Sequence, residues 1–466
     1  MKIHFTGLAG AGMSAAAMMM RGAGHQVTGS DADAFPPIST YVERMGLTFH
    51  RSFNAANLPE NLDLLVVGAS AKLGGDANSE VVAARARGVR VTTFPELVGE
   101  ATVGRETIVV AGSFGKSTCA ALMAHVLRSA GRDPGYLIGA LPRSLPATGA
   151  WGTSPEVVLE GDEYIVGPDD HRSKFLLYHP HDLLLTSLIH DHVNVFPTFD
   201  SYTAPFHALT KLVAPDGLIV ARRSDDIAAA VAGSRARVVW YDTAPHAGWF
   251  SRDVVYGDVT RFALVGPDGS DLTLSTTLLG AHNVENIVGV AALLLERGLV
   301  APEALARGVA GFEGIQRRLD RKTTTSRVPV FEGFGSSYEK ARSAIEAMKL
   351  HYPDRPLIVV FEPHAFSWRN REALPWYDTV FDGAARVLVA PPPEHGAGGH
   401  DQTSLAEIVE RIRKAGVQAE PAPTAEAVLD ALADLTGRET VLLLSSGPLL
   451  GLPDRLPARF DLIYPA

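Results

Sequence analysis

Residues 108–118, IVVAGSFGKST, combine an apolar run, two glycines, a lysine and two consecutive hydroxyls in an order suited to holding a triphosphate. Gly112 and Gly115 let the backbone turn tightly and aim N–H groups at phosphate oxygens, where a Cβ would stand in the way. In such a loop Lys116 neutralises phosphate charge, and Ser117 or Thr118 offers a hydroxyl to Mg2+. The following CAALMAHVLRSAG places Leu122, Met123, Val126 and Leu127 on one helical face, so the loop opens a helix whose N-terminal dipole favours anions. The spacing is short: G-x-x-x-x-G-K-[ST] needs glycine where Val110 stands, which leaves G-x-x-G-K-S. Taken alone, the segment reads as a nucleotide loop or as a strand-to-helix turn bearing a surface lysine.

Further polar groups gather after other apolar runs. In VVLEGDEYIVGPDDHRSKF, Glu160, Asp162 and Glu163 cluster past a strand, the edge where open parallel sheets bind ligands. Carboxylates there suit Mg2+, which needs one or two from the protein and takes phosphate and water besides; helix caps or solvated turns are the other reading. DLLLTSLIHDHVNVF sets His190, Asp191 and His192 past another run, and strand alternation, if it continued, would put both histidines on one side. HEXXH and cysteine patterns are missing, so a histidine near a Mg2+-nucleotide or a turn histidine satisfied by backbone is favoured over zinc. Asn283, in GAHNVENIVG, could read a base edge or cap a helix. Arg317, Arg318, Arg321 and Lys322 form either a solvated face or a stabiliser of charge on a transferring phosphoryl group. Near the start, Gly7, Gly10 and Gly12 precede Ser30 and Asp31 in GHQVTGSD, a phosphate turn with an acid for a ribose hydroxyl. Their order, G-x-x-G-x-G, is not that of dinucleotide folds. Another nucleotide, or close packing without ligand, is preferred.

The elements that must position these groups are legible as continuous apolar runs: LLVVGA ending at Ala69, VVLE at 157–160, DLLLTSLI at 182–189, GLIVA at 217–221, LIVVF at 357–361, RVLVA at 386–390 and TVLLLSS at 440–446. Such runs are strands buried on both faces. Helical patterns between them, SEVVAARARG, SAIEAMKLHY and LAEIVERIRKAG, predict parallel sheets with crossover helices. RFALVGPDGSDLTLST at 261–276 predicts an inserted hairpin, and PPPEHGAGGHDQT at 391–403 a surface loop. The expected fold is α/β with three domains, each a mainly parallel sheet flanked by helices. They are a Rossmann-like domain over 1–104, a P-loop ATPase-like domain over 105–325 and a second Rossmann-like domain over 326–466.

A chain of 466 residues can bury several cores, and its net charge of −10 argues against nucleic acid or an anionic membrane as main partner. Cys119 is the single cysteine, so no internal disulfide forms and a cytoplasmic location is expected. The glycines and His4 break the apolar start, which is read as strand, turn and helix rather than a signal peptide, and no run is long enough for a membrane span.

The succession AGSFGKST, EGDEY, IHDHV, GAHNVEN and GIQRRLD resembles the Mur ligase family, ATP-dependent ligases of peptidoglycan peptide assembly. HFTGLAGAGMS is similar to the UDP-binding start of the branch handling UDP-N-acetylmuramate. GSDADAFPPIST, DDHRSKFLLYHP and LLLSSGPLLGLPDRL resemble the murein peptide ligase subfamily, while FEPHAFSWR is closer to the L-alanine-adding subfamily. The resemblance implies that Gly112, Ser113, Gly115, Lys116, Ser117 and Thr118 hold the ATP phosphates, Asn283 touches adenine and Arg318 reaches the phosphates. It implies Mg2+ on Ser117 and Glu160, and a second Mg2+ or its water on His192, with Lys116, Glu160, His192 and Arg318 as the catalytic set. Gly7, Gly10, Gly12, Asp31 and Ser70 would lie along UDP, and Glu332 and His364 on the amine side. Partners would be UDP-N-acetylmuramate or a similar acid and an amino-acid or peptide amine, with recycling of cell-wall peptide as the expected role and a monomer or homodimer as the expected state. The carbamylated lysine of related ligases is matched by Phe206 in SYTAPF.

The chain departs from the family pattern in the loop, at Ser113 and Phe114, in Ser187 and Ile189, and at residues 332–340, EGFGSSYEK, where an acid-and-histidine junction is usual. These changes keep two other readings open: a ligase for a different acid and amine, and a nucleotide-binding relative without ligase activity.

Overall fold

In a computed structural model that describes residues 1–70, 73, 77–167, 169–192, 195–393 and 402–466, the predicted runs pair into three large sheets. β1 (Lys2–Thr6), β2 (Gln26–Ser30), β3 (Phe49–His50), β4 (Leu64–Val67) and β5 (Arg90–Thr93) form a parallel sheet in the order β3-β2-β1-β4-β5. Ile3, Phe5, Leu65 and Val66 are fully buried in it, as strands covered on both faces require.

β6 (Glu106–Ala111), β7 (Gly135–Leu137), β8 (Gly149–Ala150) and β9 (Glu156–Glu160) belong to a second sheet. A small antiparallel pair, β10 (Ile165–Gly167) and β11 (Asp170–Ser173), interrupts the chain before that sheet resumes. It resumes with β12 (Asp182–Leu185), β13 (Leu218–Arg222), β14 (Arg237–Asp242), β15 (Trp249–Val255), β16 (Thr260–Val265) and β17 (Asp271–Thr276). The ten strands run β17-β16-β15-β14-β13-β12-β6-β9-β7-β8. Parallel register sets Val110 of β6 between Leu184 of β12 and Glu160 of β9, so the C-terminal ends of three strands meet at one edge. The predicted hairpin is β16 and β17, turned through Gly266–Ser270. β12, however, stops at Leu185 rather than running to residue 189. Thr186 N still donates to Ala111 O at the end of β6, but Thr186 Oγ1 and Ser187 Oγ bond Phe114 in the loop beyond, and strand pairing goes no further.

β18 (Arg318–Arg321), β19 (Val330–Gly333), β20 (Leu357–Phe361), β21 (Arg386–Val389), β22 (Gln418–Pro421) and β23 (Thr440–Leu444) make the third sheet, ordered β18-β19-β23-β20-β21-β22. All pairs are parallel except β18 with β19. Helices cover both faces, with Trp368, Tyr377 and Phe381 in one core and Leu452, Leu456 and Phe460 in the other. Of the predicted loop at 391–403, residues 394–401 lie outside the described residues.

By its internal contacts the chain divides into two compact units. One comprises Met1–Val254, Arg261–Thr276 and His282–Ile315; the other Val255–Thr260, Thr277–Ala281 and Gln316–Ala466. The first unit carries two sheets. Between them, a Cβ at Gly149 would strike the Ala15 carbonyl, so glycine lets β8 approach the helix Ala11–Gly22, and Tyr41 Oη accepts the Thr148 N–H at 2.8 Å. Among the described residues no helix is long and apolar enough to cross a membrane.

Candidate active site

The chain leaves β6 at Ala111 and turns through Gly112 (φ 135°) and Gly115 (φ 85°) into the helix Lys116–Ser129. Glycine is required at both corners: each φ is left-handed, a Cβ at Gly112 would collide with Thr186 Oγ1, and one at Gly115 would lie 2.5 Å from Asn286 Oδ1. The first amides of the helix have no intrahelical acceptor, the usual basis of anion binding at such a corner.

The loop is tied to the segment after β12. Ser113 N donates to Ser187 O at 3.0 Å, Phe114 N to Ser187 Oγ at 3.0 Å, and Thr186 Oγ1 to Phe114 O at 2.5 Å. Ser113 Oγ donates to Ile189 O and accepts from Ile189 N and from Tyr202 Oη, each at 2.7 Å. One donor and two acceptor positions are a hydroxyl's full capacity, so the Ser113 side chain belongs to the scaffold and only its main chain faces the loop interior. Phe114 takes part through its N–H and C=O with its side chain half-buried. The departures at 114 and 187 therefore meet through the main chain of residue 114 and not through its side chain. Ser187 Oγ serves a backbone amide, which any residue at 114 except proline supplies.

Charged groups converge beneath this loop. Lys116 Nζ donates to Gly112 O (2.6 Å) and Ser113 O (3.2 Å) and pairs with Glu163 (2.8 Å). Burial opposes its charge, but Glu163, Asp162 and Glu160 outweigh this and hold its pKa above the ordinary lysine value. Ser117 Oγ donates to Glu160 Oε1 and Gly139 N to Glu160 Oε2, both at 2.6 Å. Burial pushes the Glu160 carboxyl up, against these donors and Lys116, so the site favours a positive group beside it. The adjacent Asp162 is held below its usual value, despite burial, by Lys174 at 2.5 Å.

His192 adopts φ 55° and brings Nε2 to 3.4 Å from Glu163 Oε1, an interaction that raises its pKa over the opposing effect of burial. His190 Nε2–H donates to Phe196 O at 2.7 Å, the backbone-satisfied role foreseen for one of the pair. Since β12 ends before either histidine, strand alternation does not govern them, and they separate. Among the described residues no group of three or more His, Cys, Asp or Glu is arranged to hold a metal. The donor set that does exist, the Ser117 hydroxyl against the Glu160 carboxylate, fits Mg2+ completing its shell with phosphate oxygens and water.

Asn283 and Asn286 lie one turn apart on the helix Ala281–Glu296, and Asn286 Nδ2 donates to Asn283 Oδ1 at 3.1 Å. Asn286 also accepts from Cys119 Sγ at 3.4 Å, so the pair abuts the phosphate-loop helix, where Thr118 sits half-buried in the first turn. Phe206 is fully buried between Phe175 and Tyr202, a core position. Sequence reasoning did not name Tyr202 or Asn286, and it named Glu163 only as one of three clustered acids and Ser187 only as a departure from the family pattern. Only Asn286 carried a usable signal, its i, i+3 spacing from Asn283.

At the first sheet, Gly7 (φ 90°) and Gly12 are crowded by Leu73 and the Phe94 ring, and Gly10 caps the helix Ala11–Gly22. Asp31, 8% exposed, accepts from Ala9 N (2.8 Å) and Asp33 N (3.0 Å), so its carboxylate shapes the glycine turn. Ser70 is exposed beyond β4.

Arg318, assigned from sequence to the central region, instead opens β18 in the second unit, because that strand pairs with β19. Its neighbours Arg317 and Leu319 have φ of 64° and 56°, and the register shifts between Arg318 and Asp320. Arg317 is bonded to Gly447 O (2.7 Å) and Glu332 (3.0 Å), whereas Arg318 is exposed with its guanidinium 5.3 Å from the Phe334 ring centre. Glu332 is 6% exposed and also pairs with Lys322 at 3.0 Å. His364 is half-buried over Gly447, where a Cβ would strike its ring.

Comparison with known proteins places residues 2–105 in the Mur ligase family catalytic domain and residues 110–294 in the Mur ligase middle domain. The chain is 33% identical over 393 residues to the UDP-N-acetylmuramate–L-alanine ligase of Arthrobacter sp. (strain FB24), covering 83% of this chain and 80% of the relative. It is 30% identical over 339 residues to the UDP-N-acetylmuramate–L-alanyl-gamma-D-glutamyl-meso-2,6-diaminoheptandioate ligase of Escherichia coli (strain K12), covering 72% of this chain and 72% of the relative. Among solved structures, the UDP-N-acetylmuramate-alanine ligase MurC of Thermotoga maritima aligns over 99% of both chains with TM-score 0.81 at 20% identity, a likeness of fold.

Proposed function

The chain belongs to the Mur ligase family, and from that premise we propose that it joins the carboxylate of UDP-N-acetylmuramate to an amine at the expense of ATP. The observation that carries this reading is the pairing of Lys116 with Glu163 and of Ser117 with Glu160 at the mouth of a helix that follows a buried parallel strand. This arrangement supports reading the corner as a phosphate site with a hydroxyl–carboxylate pair fit for Mg2+.

In this reading the muramate carboxylate oxygen attacks the γ-phosphorus of ATP, ADP leaves, and an acyl phosphate forms. The amine then adds to the acyl carbon, the tetrahedral intermediate collapses, phosphate leaves and the amine loses a proton. Lys116 and the amides of residues 112–118 bind the phosphates and offset the charge that crowds together as the two anions meet. Ser117 and Glu160 would hold Mg2+, which supplies further positive charge to the phosphate oxygens, and His192 would serve a second ion or its water. By resemblance to the family Arg318 would reach the nucleotide phosphates, and Asn283, bonded by Asn286, would touch the adenine. The first sheet would carry UDP along Gly7, Gly10, Gly12, Asp31 and Ser70, and the third sheet the amine, with Glu332 and His364 at its edge. Three domains would divide these tasks, with the expected boundary at 104/105 kept and the one expected at 325/326 drawn back to near Gln316 so that β18 stays with its sheet, as a monomer or homodimer in the cytoplasm.

Two amines are in view. Several relatives that cover four-fifths of the chain or more are named for L-alanine, whereas the segments EGDEY and DDHRSKFLLYHP favour the recycled tripeptide L-Ala-γ-D-Glu-diaminopimelate. Phosphate release with ATP, Mg2+, UDP-N-acetylmuramate and each amine in turn decides between them. Release only when acid and amine are both present supports the ligase. No release with either amine at saturating concentrations overturns this acid–amine assignment, and ATP binding without turnover on a wider panel would identify a non-catalytic relative.

A further inference from the structure

One carboxylate joins two groups to which the proposed chemistry gives separate tasks. Glu163 is 0% exposed; its Oε2 lies 2.8 Å from Lys116 Nζ, and its Oε1 lies 3.1 Å from the same nitrogen and 3.4 Å from His192 Nε2. It sits past the end of β9, in the turn before β10, where no strand pairing needs it. A fully buried carboxylate is costly unless a cation compensates it, and here Lys116 does, with the His192 ring beside it. Beside a lysine that is to receive a triphosphate it is also an adverse charge, since like charges repel strongly in a poorly solvated site. The gain is placement. With Gly112 O, Ser113 O and Glu163 as acceptors, all three ammonium hydrogens of Lys116 are directed. The same carboxylate fixes the ring of His192, whose backbone is already held in the left-handed region.

We propose that Glu163 is a positioning residue for phosphoryl transfer. It holds Lys116 and His192 at a set separation beside the phosphate loop and gives up nucleotide affinity to do so. This inference rests on the ligase reading above. A purely structural residue would, when replaced, weaken binding and turnover together; a positioning residue of this kind moves them in opposite directions.

The test measures binding of a non-hydrolysable ATP analogue by calorimetry with Mg2+, alongside kcat and KM, for the wild type, Glu163→Gln and Glu163→Asp. Loss of the charge in Glu163→Gln should tighten binding about fivefold, the equivalent of a single screened charge interaction, while kcat falls about tenfold or more from misplacement of Lys116. Glu163→Asp should return affinity to the wild-type value with kcat still reduced. If Glu163→Gln fails to fold, Glu163→Asp carries the test: near-wild-type affinity with lowered kcat supports the proposal, and unchanged kcat overturns it. A parallel loss of affinity and kcat, or unchanged kcat in Glu163→Gln, also overturns it. A wild type that binds no nucleotide overturns the ligase reading and this inference with it, whereas nucleotide binding in the wild type without the opposed shifts removes this inference alone.

Discussion

Glu80 offers a quantitative test of how the first sheet is held together. Its carboxylate is 0% exposed and accepts from Thr6 Oγ1 (2.8 Å), Ser30 Oγ (2.6 Å), Asn57 Nδ2 (2.9 Å) and Asn54 N (3.2 Å), with His4 Nε2 at 3.6 Å. Burial alone would raise its pKa; the donors from His4, Ser30, Asn57 and Thr6 prevail and bring it down from 4.5 to about 2. A depression of that size corresponds to about 3 kcal/mol. Because the folded value lies below the unfolded one, this contribution is fully present above about pH 4.5 and is lost as pH falls towards 2, with roughly half gone by pH 3. Glu80→Gln removes the charge and turns an NH2 group towards donors on one side. At pH 7, hydrogen exchange of peptides from residues 2–30 should then accelerate by about two orders of magnitude. The melting difference between wild type and variant should shrink to roughly half as the pH is lowered to 3. Exchange within threefold of wild type at pH 7, or a melting difference that does not shrink on acidification, would refute the reasoning.

Two further outcomes are expected. Ser117→Ala removes the hydroxyl that meets Glu160 and should lower turnover by about 10- to 100-fold, partly restored by excess Mg2+; an unchanged Mg2+ dependence contradicts that role. His351 accepts the Gly280 N–H at Nε2 (2.8 Å) and donates from Nδ1 to Gly257 O (2.7 Å), so the buried ring is neutral and its pKa is lowered, chiefly by burial. The unfolded chain then binds more protons, stability present above about pH 6.5 is lost below it, and His351→Gln should flatten the melting profile between pH 7 and 5; an equal slope in both proteins would count against it.

Much of the architecture was legible because parallel strands buried on both faces leave unbroken apolar runs, as in LIVVF of β20 and TVLLL of β23. β12 was read too long for the same reason. Its apolar run continues through Leu188 and Ile189, and composition carries no mark of where backbone groups turn from a strand to the phosphate loop. The strand–turn–helix at 108–118 was readable because glycine, lysine and hydroxyl sit next to one another after an apolar run. Glu163 was not, since three acids fall within four residues and only the path of the turn after β9 decides which one meets Lys116. Glu80 was hidden in SEVVAARARG, where an acid in the first helical turn is normally a solvated one. Its partners come from Thr6 and Ser30, far back in the sequence. Arg318 was placed in the central region for want of any signal that its short strand pairs forward with β19 rather than backward.

The saturated hydroxyl of Ser113 makes three pieces of chain a single opening unit. Because Ile189 N and O and Tyr202 Oη all converge on that oxygen, the loop after β6 cannot loosen without freeing residues 187–189 and the helix Phe199–Leu212 from the same bond set. Their amides should share one exchange rate, and a ligand that stills the loop should slow exchange in a helix some eighty residues further along the chain by the same factor.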